Sequence, residues 1–551
     1  MTDESEHPVA SFAGWVAAAN HIRATTKRLE KLAVLEAYLP ILGDDSLPIA
    51  ARFFSGIVFP RHDQRTTNVG GSILRNALTE LTGASEQSLA EAYTRHGDSG
   101  DMVGDLLAGR PTGGQSLEWM AAQFASLAAV RGTAARRTIV RDTLGALAAE
   151  EARYFAKLLG GELRIGLKEA QVEEATARAF GRTLGAVRHA NLLRGDIGEV
   201  ALLARRDALH EATLALFHPL GFMLAQPLPT AAEIVATMPG PFVVEDKYDG
   251  IRAQAHVDGD AVRLFSRTLD DITAGYPEVV ASLRGLGRGL VLDGELLAVD
   301  PGGPRQPRPF ATLQRRLGRK QPTAALLAEV PVAFVAYDVL ASSATLVIAS
   351  SWRERRAVLQ TLSWRDDVVF MAPYAVVSSA ESVDALFDTA RASGNEGLIA
   401  KDPGSPYTPG RRGKTWIKLK RPLATLDVVV TGVERGHGRR NGVLSDYTFA
   451  VRASESDPTL LNVGKAYNGL TDVEIAELTE RFQAITTERH GRYHAVRPEV
   501  VLEVAFDIVQ KSARHKAGYA LRFPRIVRVR DDKPAAEIDT LQRVRELAGE
   551  P

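Results

Sequence analysis

The chain contains no cysteine, which excludes disulfides and thiolate-held metals. It also lacks net charge, since 67 Lys and Arg stand against 67 Asp and Glu in 551 residues. Bulk charge therefore does not announce a nucleic-acid partner, although a basic face can be offset elsewhere in a chain. No apolar run approaches the roughly 20 residues of a membrane span. The first residues, Met1-Thr2-Asp3-Glu4-Ser5-Glu6, are acidic and lack the basic and apolar regions of a secretion signal. These absences set the expectation of a cytoplasmic protein without a membrane partner. The length calls for about two to four domains.

What charge there is gathers in places. Residues 401–440 hold ten Lys or Arg against three acids, and residues 511–533 hold eight against two. Either run suits an anion-binding face or a merely solvated one.

Hydrophobic spacing changes twice along the chain. Residues 1 to 215 read as helical. Leu29, Leu32, Leu35 and Leu39 recur at helical spacing before Pro40, and 117–130, 135–159 and 168–181 are rich in helix formers. A Pro- and Gly-rich stretch at 219–241 reads as a linker. Beyond it, strand-like runs at 242–245, 261–266, 290–299 and 332–340 alternate with helical runs at 311–318 and 352–362. That pattern predicts an α+β domain of mainly antiparallel sheets. From about residue 422, short strands at 427–433, 447–452, 460–463 and 500–509 flank one helix at 471–485. A small barrel, with an OB-fold as first choice, is predicted there. The expected division is 1–215, 216–421 and 422–551.

The sharpest local feature is Glu245-Asp246-Lys247-Tyr248-Asp249-Gly250-Ile251-Arg252. A Lys-x-Asp-Gly tetrad arises by chance in about one chain in ten of this length. Alone it reads as a strand end with a solvated lysine and an Asp-Gly turn. Chemistry offers a second meaning. A lysine amine attacks phosphorus only when deprotonated, so it needs burial or neighbouring positive charge. A glycine nearby permits a tight turn and close approach of a nucleotide. Arg252 supplies a planar fork for phosphate or ribose oxygens. Lys418 and Lys420 lie two apart in a strand and so share a face, together with Trp416. Like charges so placed suit a triphosphate. Gly436-His437-Gly438 is a weaker glycine cluster, read as a barrel loop.

The ordered series decides between these meanings. Lys247 to Arg252, Phe265-Ser266-Arg267, Leu292-Asp293-Gly294-Glu295-Leu296, Ala336-Tyr337-Asp338-Val339, Glu396-Gly397-Leu398-Ile399-Ala400-Lys401, Arg412 to Lys420, and Arg522-Phe523-Pro524-Arg525 through Arg530-Asp531-Asp532-Lys533 follow one another in the chain. Together they resemble the motifs of the nucleotidyltransferase superfamily, and within it the large archaeal, eukaryotic and related bacterial ATP-dependent DNA ligases. Leu163-Arg164-Ile165-Gly166-Leu167 resembles a segment of the helical DNA-binding domain of the same ligases. Residues 65–71 resemble another part of that domain more weakly.

The resemblance implies a multidomain ligase: an all-α DNA-binding domain, an α+β adenylation domain and an OB-fold domain. It implies that Lys247 carries AMP. Glu245, Arg252, Arg267, Glu295, Tyr337, Arg412, Lys418 and Lys420 would bind the nucleotide, with Tyr337 stacking on adenine and Asp249 assisting. Glu295 and Glu396 would hold Mg2+. Arg164 and Gly166 would contact DNA, and Arg530, Asp532 and Lys533 the diphosphate. The expected partners are ATP and nicked double-stranded DNA, bound by a monomer. No docking peptide for a sliding clamp or repair partner stands out. A hinge is expected near 421–427. An RNA ligase or capping enzyme would share the lysine motif, and so would a non-catalytic DNA-binding relative. An NAD-dependent ligase would carry a four-cysteine zinc module, which this chain cannot make.

Overall fold

The computed structural model describes residues 10–110, 113–300, 306–364, 367–421, 424–437 and 440–549. The chain packs into two compact units, residues 1–70 with 111–420, and 71–110 with 421–551. The three segments expected from the sequence differ in secondary structure but do not coincide with these units. Gly438, Pro422 and Leu423, which belong to the expected barrel loop and hinge, lie outside the described residues. Among the described residues, no helix is long and apolar enough to cross a membrane.

The first unit begins helical. Arg28–Tyr38 is a helix that buries Leu32 and Leu35, with Leu39 buried just beyond its end, while Leu29 is 63% exposed. The three buried leucines fall within one narrow angular stripe of a 3.6-residue helix, and Leu29 lies at its margin. The run expected at 135–159 is two helices, Thr133–Gly145 and Ala149–Leu159. The second starts afresh because the Glu151 carboxylate accepts the Ala148 N–H at 2.9 Å. Helices Leu117–Ala129 and Glu169–Ala179 stand where expected. Phe12, Trp15, Phe53, Phe54, Phe124, Phe155 and Tyr154 form an aromatic core beneath them. Each such ring contributes roughly 1.5–3 kcal/mol by leaving water.

The stretch at 219–241 is not a linker. It contains strand β1 (Leu224–Leu228) and helix Ala231–Thr237, and Leu220 and Met223 are core residues. Pro227 is tolerated because β1 is an edge strand. The preceding segment is pinned by buried polar side chains. The Phe217 N–H donates to His256 Nδ1 at 3.0 Å, and Leu220 N–H donates to Gln254 Oε1 at 2.8 Å. Proline and glycine signal irregular backbone, but they do not reveal that side chains elsewhere satisfy it.

Among the described residues this unit has ten further strands: β2 (Phe242–Lys247), β3 (Ile251–Asp258), β4 (Ala261–Ser266), β5 (Leu290–Ala298), β6 (Val332–Ser342), β7 (Thr345–Leu346), β8 (Val369–Met371), β9 (Tyr374–Val377), β10 (Gly397–Lys401) and β11 (Arg412–Leu419). One sheet has the order β1-β11-β10-β2-β9, and the other β4-β3-β5-β6-β7 with β8 beside β6. All ladders are antiparallel except β1 with β11 and β6 with β8. The first sheet turns Phe242, Val244, Leu398, Ala400, Ile417 and Leu419 toward helices Ala231–Thr237 and Ala380–Ala392. By alternation its other face carries Val243, Glu245, Lys247, Ile399, Lys401, Trp416 and Lys418.

The second unit combines helices Gly71–Thr82, Glu86–His96 and Ser99–Leu106 with a sheet-rich region. Its strands are β12 (Ala424–Arg435), β13 (Leu444–Arg452), β14 (Leu460–Ala466), β15 (Thr486–His490), β16 (Tyr493–Val496), β17 (Val501–Phe506), β18 (Ile508–Lys511), β19 (Tyr519–Arg522) and β20 (Arg525–Val529). The long strand β12 pairs with β13, β16 and β17 in turn, and is interrupted by two register shifts. Gly432 lies between them, where a Cβ would come within 2.1 Å of the Tyr493 hydroxyl. Helix Asp472–Ala484 starts with a Thr471–Glu474 capping box and packs against β13. Among the described residues no ladder closes this sheet on itself.

Candidate active site

Lys247 is the last residue of β2, and Tyr248-Asp249-Gly250 carries the chain from one sheet to the other. Gly250 serves close packing of the crossing against β5. A Cβ there would lie 2.3 Å from Leu296 O and 2.8 Å from Glu295 Cγ, so only glycine lets the crossing pass against β5.

The register then assembles a charged face in rows. Lys401 lies opposite both Val243 and Trp416, Ile399 opposite Glu245 and Lys418, and Gly397 opposite Lys247. The Glu396 N–H donates to Lys247 O at 2.7 Å, which brings the Glu396 side chain to the end of β2. There its Oε2 accepts Lys247 Nζ at 2.5 Å and Lys420 Nζ at 2.8 Å. Burial opposes ionisation of Glu396, but the two ammonium groups outweigh it and hold the carboxyl at about 2. Lys418 forms no ion pair among the described residues. Burial and the charges of Lys247, Arg412 and Lys420 push its ammonium below the usual lysine range. Lys247 and Lys420 thus share one ionised carboxylate, with Lys418 on the same face.

The second sheet supplies the opposite wall. Arg252 and Glu295 face each other across β3 and β5. Burial pushes Glu295 up to about 7 despite the charges of Lys247 and Arg252. The Tyr337 hydroxyl donates to Glu295 Oε2 at 3.2 Å, and the Tyr337 ring lies 6.2 Å from that of Tyr248, nearly parallel. The Arg252 fork is already engaged. Its Nε and Nη2 donate to the two oxygens of Asp293 at 2.9 and 2.6 Å, and its guanidinium lies over Phe222 and Trp416. Arg252 therefore ties the two sheets together instead of presenting a free fork.

Several residues to which the sequence assigned no role complete the site. Lys401 is buried and donates to Glu245 Oε2 at 2.6 Å. Asp293 also accepts the Tyr407 hydroxyl at 2.8 Å. Asp338, next to Tyr337, forms a fully buried bidentate pair with Arg355, at 2.8 and 2.9 Å. The available signal was a lone charge in an apolar strand. A lysine closing Gly397–Lys401 and an aspartate within Val332–Ser342 both need buried partners.

The remaining expected residues lie apart. Arg267 follows β4 and lines a cleft of about 640 Å³ with Arg61, Arg65, Gly160 and Gly161. Gln64 fastens this cleft by accepting the Asp271 N–H at 2.7 Å and donating to Leu269 O at 3.1 Å. Arg164 is paired with Glu162 and has φ +55°. Gly166 has φ +68°, and a Cβ there would meet Lys31 Nζ at 2.4 Å. In the second unit, Arg530 Nη1 donates to both Asp427 oxygens at 2.9 Å, and Lys533 Nζ donates to Asp427 at 2.7 Å. Asp532 accepts Arg530 Nε at 2.9 Å. Among the described residues, no group of three or more His, Asp or Glu is placed to hold a metal ion.

Comparison with known proteins agrees along the chain. The model of the ATP dependent DNA ligase domain matches residues 222–420, that of the DNA ligase N terminus residues 11–177, and that of the ATP dependent DNA ligase C terminal region residues 440–533. A probable DNA ligase of Koribacter versatilis is 48% identical over 96% of this chain and 94% of its own length. A DNA ligase of Methanoculleus marisnigri is 37% identical over 96% of each. The solved structure called Pmar-Lig_PreS3 covers 94% of this chain and 99% of its own, with a TM-score of 0.59 at 17% identity, and so shares the fold. The chain belongs to the ATP-dependent DNA ligases and is an enzyme of that family.

Proposed function

We propose that the enzyme joins 3′-hydroxyl and 5′-phosphate ends at nicks in duplex DNA through AMP carried on Lys247. The observation that carries this reading is the gathering of Lys247, Lys418 and Lys420 on one face beside the ionised Glu396, with Lys418 pushed below the usual lysine range by burial and its cationic neighbours. Such a face suits a polyanion. Lys247 attacks the α-phosphorus of ATP, the bond to the β-phosphate oxygen breaks, and diphosphate leaves. Before attack, the Lys247 ammonium releases its proton to solvent and gives up its bond to Glu396. Lys418, Lys420 and Arg412 offset charge on the departing phosphates. The Tyr337 ring stacks on adenine, and Glu295 holds ribose. A 5′-phosphate of DNA then displaces the lysine from the AMP phosphorus, and the adjacent 3′-hydroxyl displaces AMP.

Two carboxylates facing a triphosphate fit Mg2+, which takes one or two protein carboxylates and completes its shell with phosphate oxygens and water. Glu396 and Glu295 would hold it, and it would withdraw electron density from phosphorus. Arg267, in its cleft with Arg61 and Arg65, and the loop of Arg164 and Gly166 would contact the DNA backbone. Arg530, Asp532 and Lys533 would meet diphosphate once released from Asp427. We also read the sheet-rich unit as an OB-fold, supported by the three-partner strand β12, and keep 1–215, 216–421 and 422–551 as functional domains.

The test is to charge the enzyme with labelled ATP and chase with nicked duplex DNA or with RNA ends. Transfer to the nicked duplex, followed by joining, is expected. Transfer to RNA ends alone would replace this reading with that of an RNA ligase.

A further inference from the structure

The imidazole rings of His62 and His218 lie face to face, 4.0 Å apart at their centroids and 6° from parallel. His62 stands between Arg61 and Asp63, which wall the cleft of Arg267. His218 Nδ1 donates to Arg194 O at 3.3 Å, and the Arg61 N–H donates to the adjoining Gly195 O at 3.2 Å. The two segments that bear the rings are thus fastened to one turn, between helices Leu184–Arg194 and Ile197–Arg205. From the other side, the Phe217 N–H donates to His256 Nδ1. Phe217 has φ +65°, a backbone that a bulky residue rarely adopts, so the turn presenting His218 depends on these fastenings.

This stack suits neutral rings. An imidazolium carries a hydrogen on each nitrogen. His62 Nδ1 is buried and has no hydrogen-bond partner among the described residues, so charging this ring strands a donor. Two charged rings at this separation also repel. Burial, and then the charge of His62, hold the His218 imidazole below the usual histidine range. The charges nearby are already matched: Arg61 with Glu169, Arg65 with Asp63, and Arg194 with Glu199. From β3 the buried His256, and from β4 Arg263 over the Phe217 ring, add no acid. We propose that the His62–His218 stack is a proton-sensitive latch. Neutral rings hold residues 59–65 against the turns at 194–195 and 217–218, and acid releases them. Release loosens Arg61 and Arg65 in the wall of the Arg267 cleft. Only its consequence for DNA rests on the reading of that cleft as DNA-facing.

The experiment follows hydrogen exchange of residues 59–65 in the full-length enzyme at pH 7.5 and pH 5.5, corrected for the intrinsic pH dependence of exchange. An imidazole of ordinary pKa, about 6.5, that takes up its proton only on opening makes opening about tenfold easier at the lower pH. Protection of this segment should therefore fall by about tenfold or more, while that of β5 and β6 holds. His62→Phe keeps a flat ring against His218, loses no hydrogen bond of Nδ1 and removes one titrating group. Its loss of protection should be smaller by at least about threefold. Equal losses in wild type and His62→Phe would overturn the latch. If that variant fails to fold, the wild type alone decides, since equal corrected protection at the two pH values would also overturn it. Affinity for nicked duplex at constant ionic strength reports the consequence, with the Kd of wild type expected to rise over the same step by about threefold more than that of His62→Phe. Full loss of protection with unchanged affinity would overturn the DNA-facing reading of the cleft and leave the latch standing.

Discussion

Two clusters of cations in this enzyme are built on opposite principles. Lys247 and Lys420 share Glu396, Lys418 stands on the same face without an ion pair among the described residues, and the neighbouring Glu295 is pushed toward its neutral form. At the C-terminal motif, Arg530 and Lys533 are matched by Asp427 and Asp532. Asp427 is itself fixed, since its N–H donates to Asp539 at 2.7 Å. The first cluster carries positive charge that a bound polyanion can relieve. The second is locally neutral and fastens the residues after β20 to the beginning of β12. A basic motif in sequence is therefore not in itself a binding site. What separates the two is whether the fold has already spent its acids on the bases.

The largest expected break in this contrast comes from Glu396→Ala. It leaves Lys247 and Lys420 without their carboxylate and should slow adduct formation by about 100-fold or more. It should also destabilise the enzyme by about 2–4 kcal/mol, because breaking a largely buried pair strands its charge. Urea unfolding and single-turnover labelling measure the two effects. A fully active Glu396→Ala would show that the surplus lysines do not need this carboxylate.

A smaller effect separates the half-reactions. Arg530→Ala should slow adduct formation by about tenfold at limiting ATP. Discharge of preformed adduct onto nicked DNA should stay within about twofold. Equal losses in both steps would mean that Arg530 serves structure alone. Asp427→Asn removes the charge but keeps an acceptor oxygen for Arg530 and Lys533, and should lower stability less than Glu396→Ala does.

The smallest effect concerns a region with no charge surplus. His256 is buried, and burial lowers its imidazole to about 3, helped by the charges of His218 and Arg263. Between pH 3 and 6.5 the unfolded chain binds this proton and the folded chain does not. Its contribution is therefore complete above pH 6.5 and is lost as pH falls toward 3. His256→Gln should flatten the slope of unfolding free energy between pH 6.5 and 5. An unchanged slope would move the pH dependence to other groups.

Much of this was legible in the sequence. Strand-like runs marked the strands β2, β4, β5, β6, β12, β13, β14 and β17, and the order of motifs marked Lys247, Glu295, Tyr337, Glu396, Lys418 and Lys420, which the fold brings together. Strand β3 was passed over because its polar residues Arg252, Gln254 and His256 all point to one buried face, where they meet Asp293, Leu220 and Phe217. Polarity there looked like exposure. The supposed linker failed for the same reason, since its backbone partners are side chains distant in sequence. Lys401 and Asp338 were hidden because a charge becomes structural only through a partner on another strand. The commitment of Arg252 to Asp293 likewise requires the register of β3 against β5.

The central claim is that Lys247 is the residue that carries AMP. It is tested most directly by intact-protein mass after incubation with ATP and Mg2+, comparing wild type with Lys247→Ala, followed by addition of nicked duplex. The account predicts a gain of one AMP in the wild type only, lost as the nick is joined. An adduct of equal yield in Lys247→Ala, or none in wild type confirmed to be free of bound AMP beforehand, would contradict it.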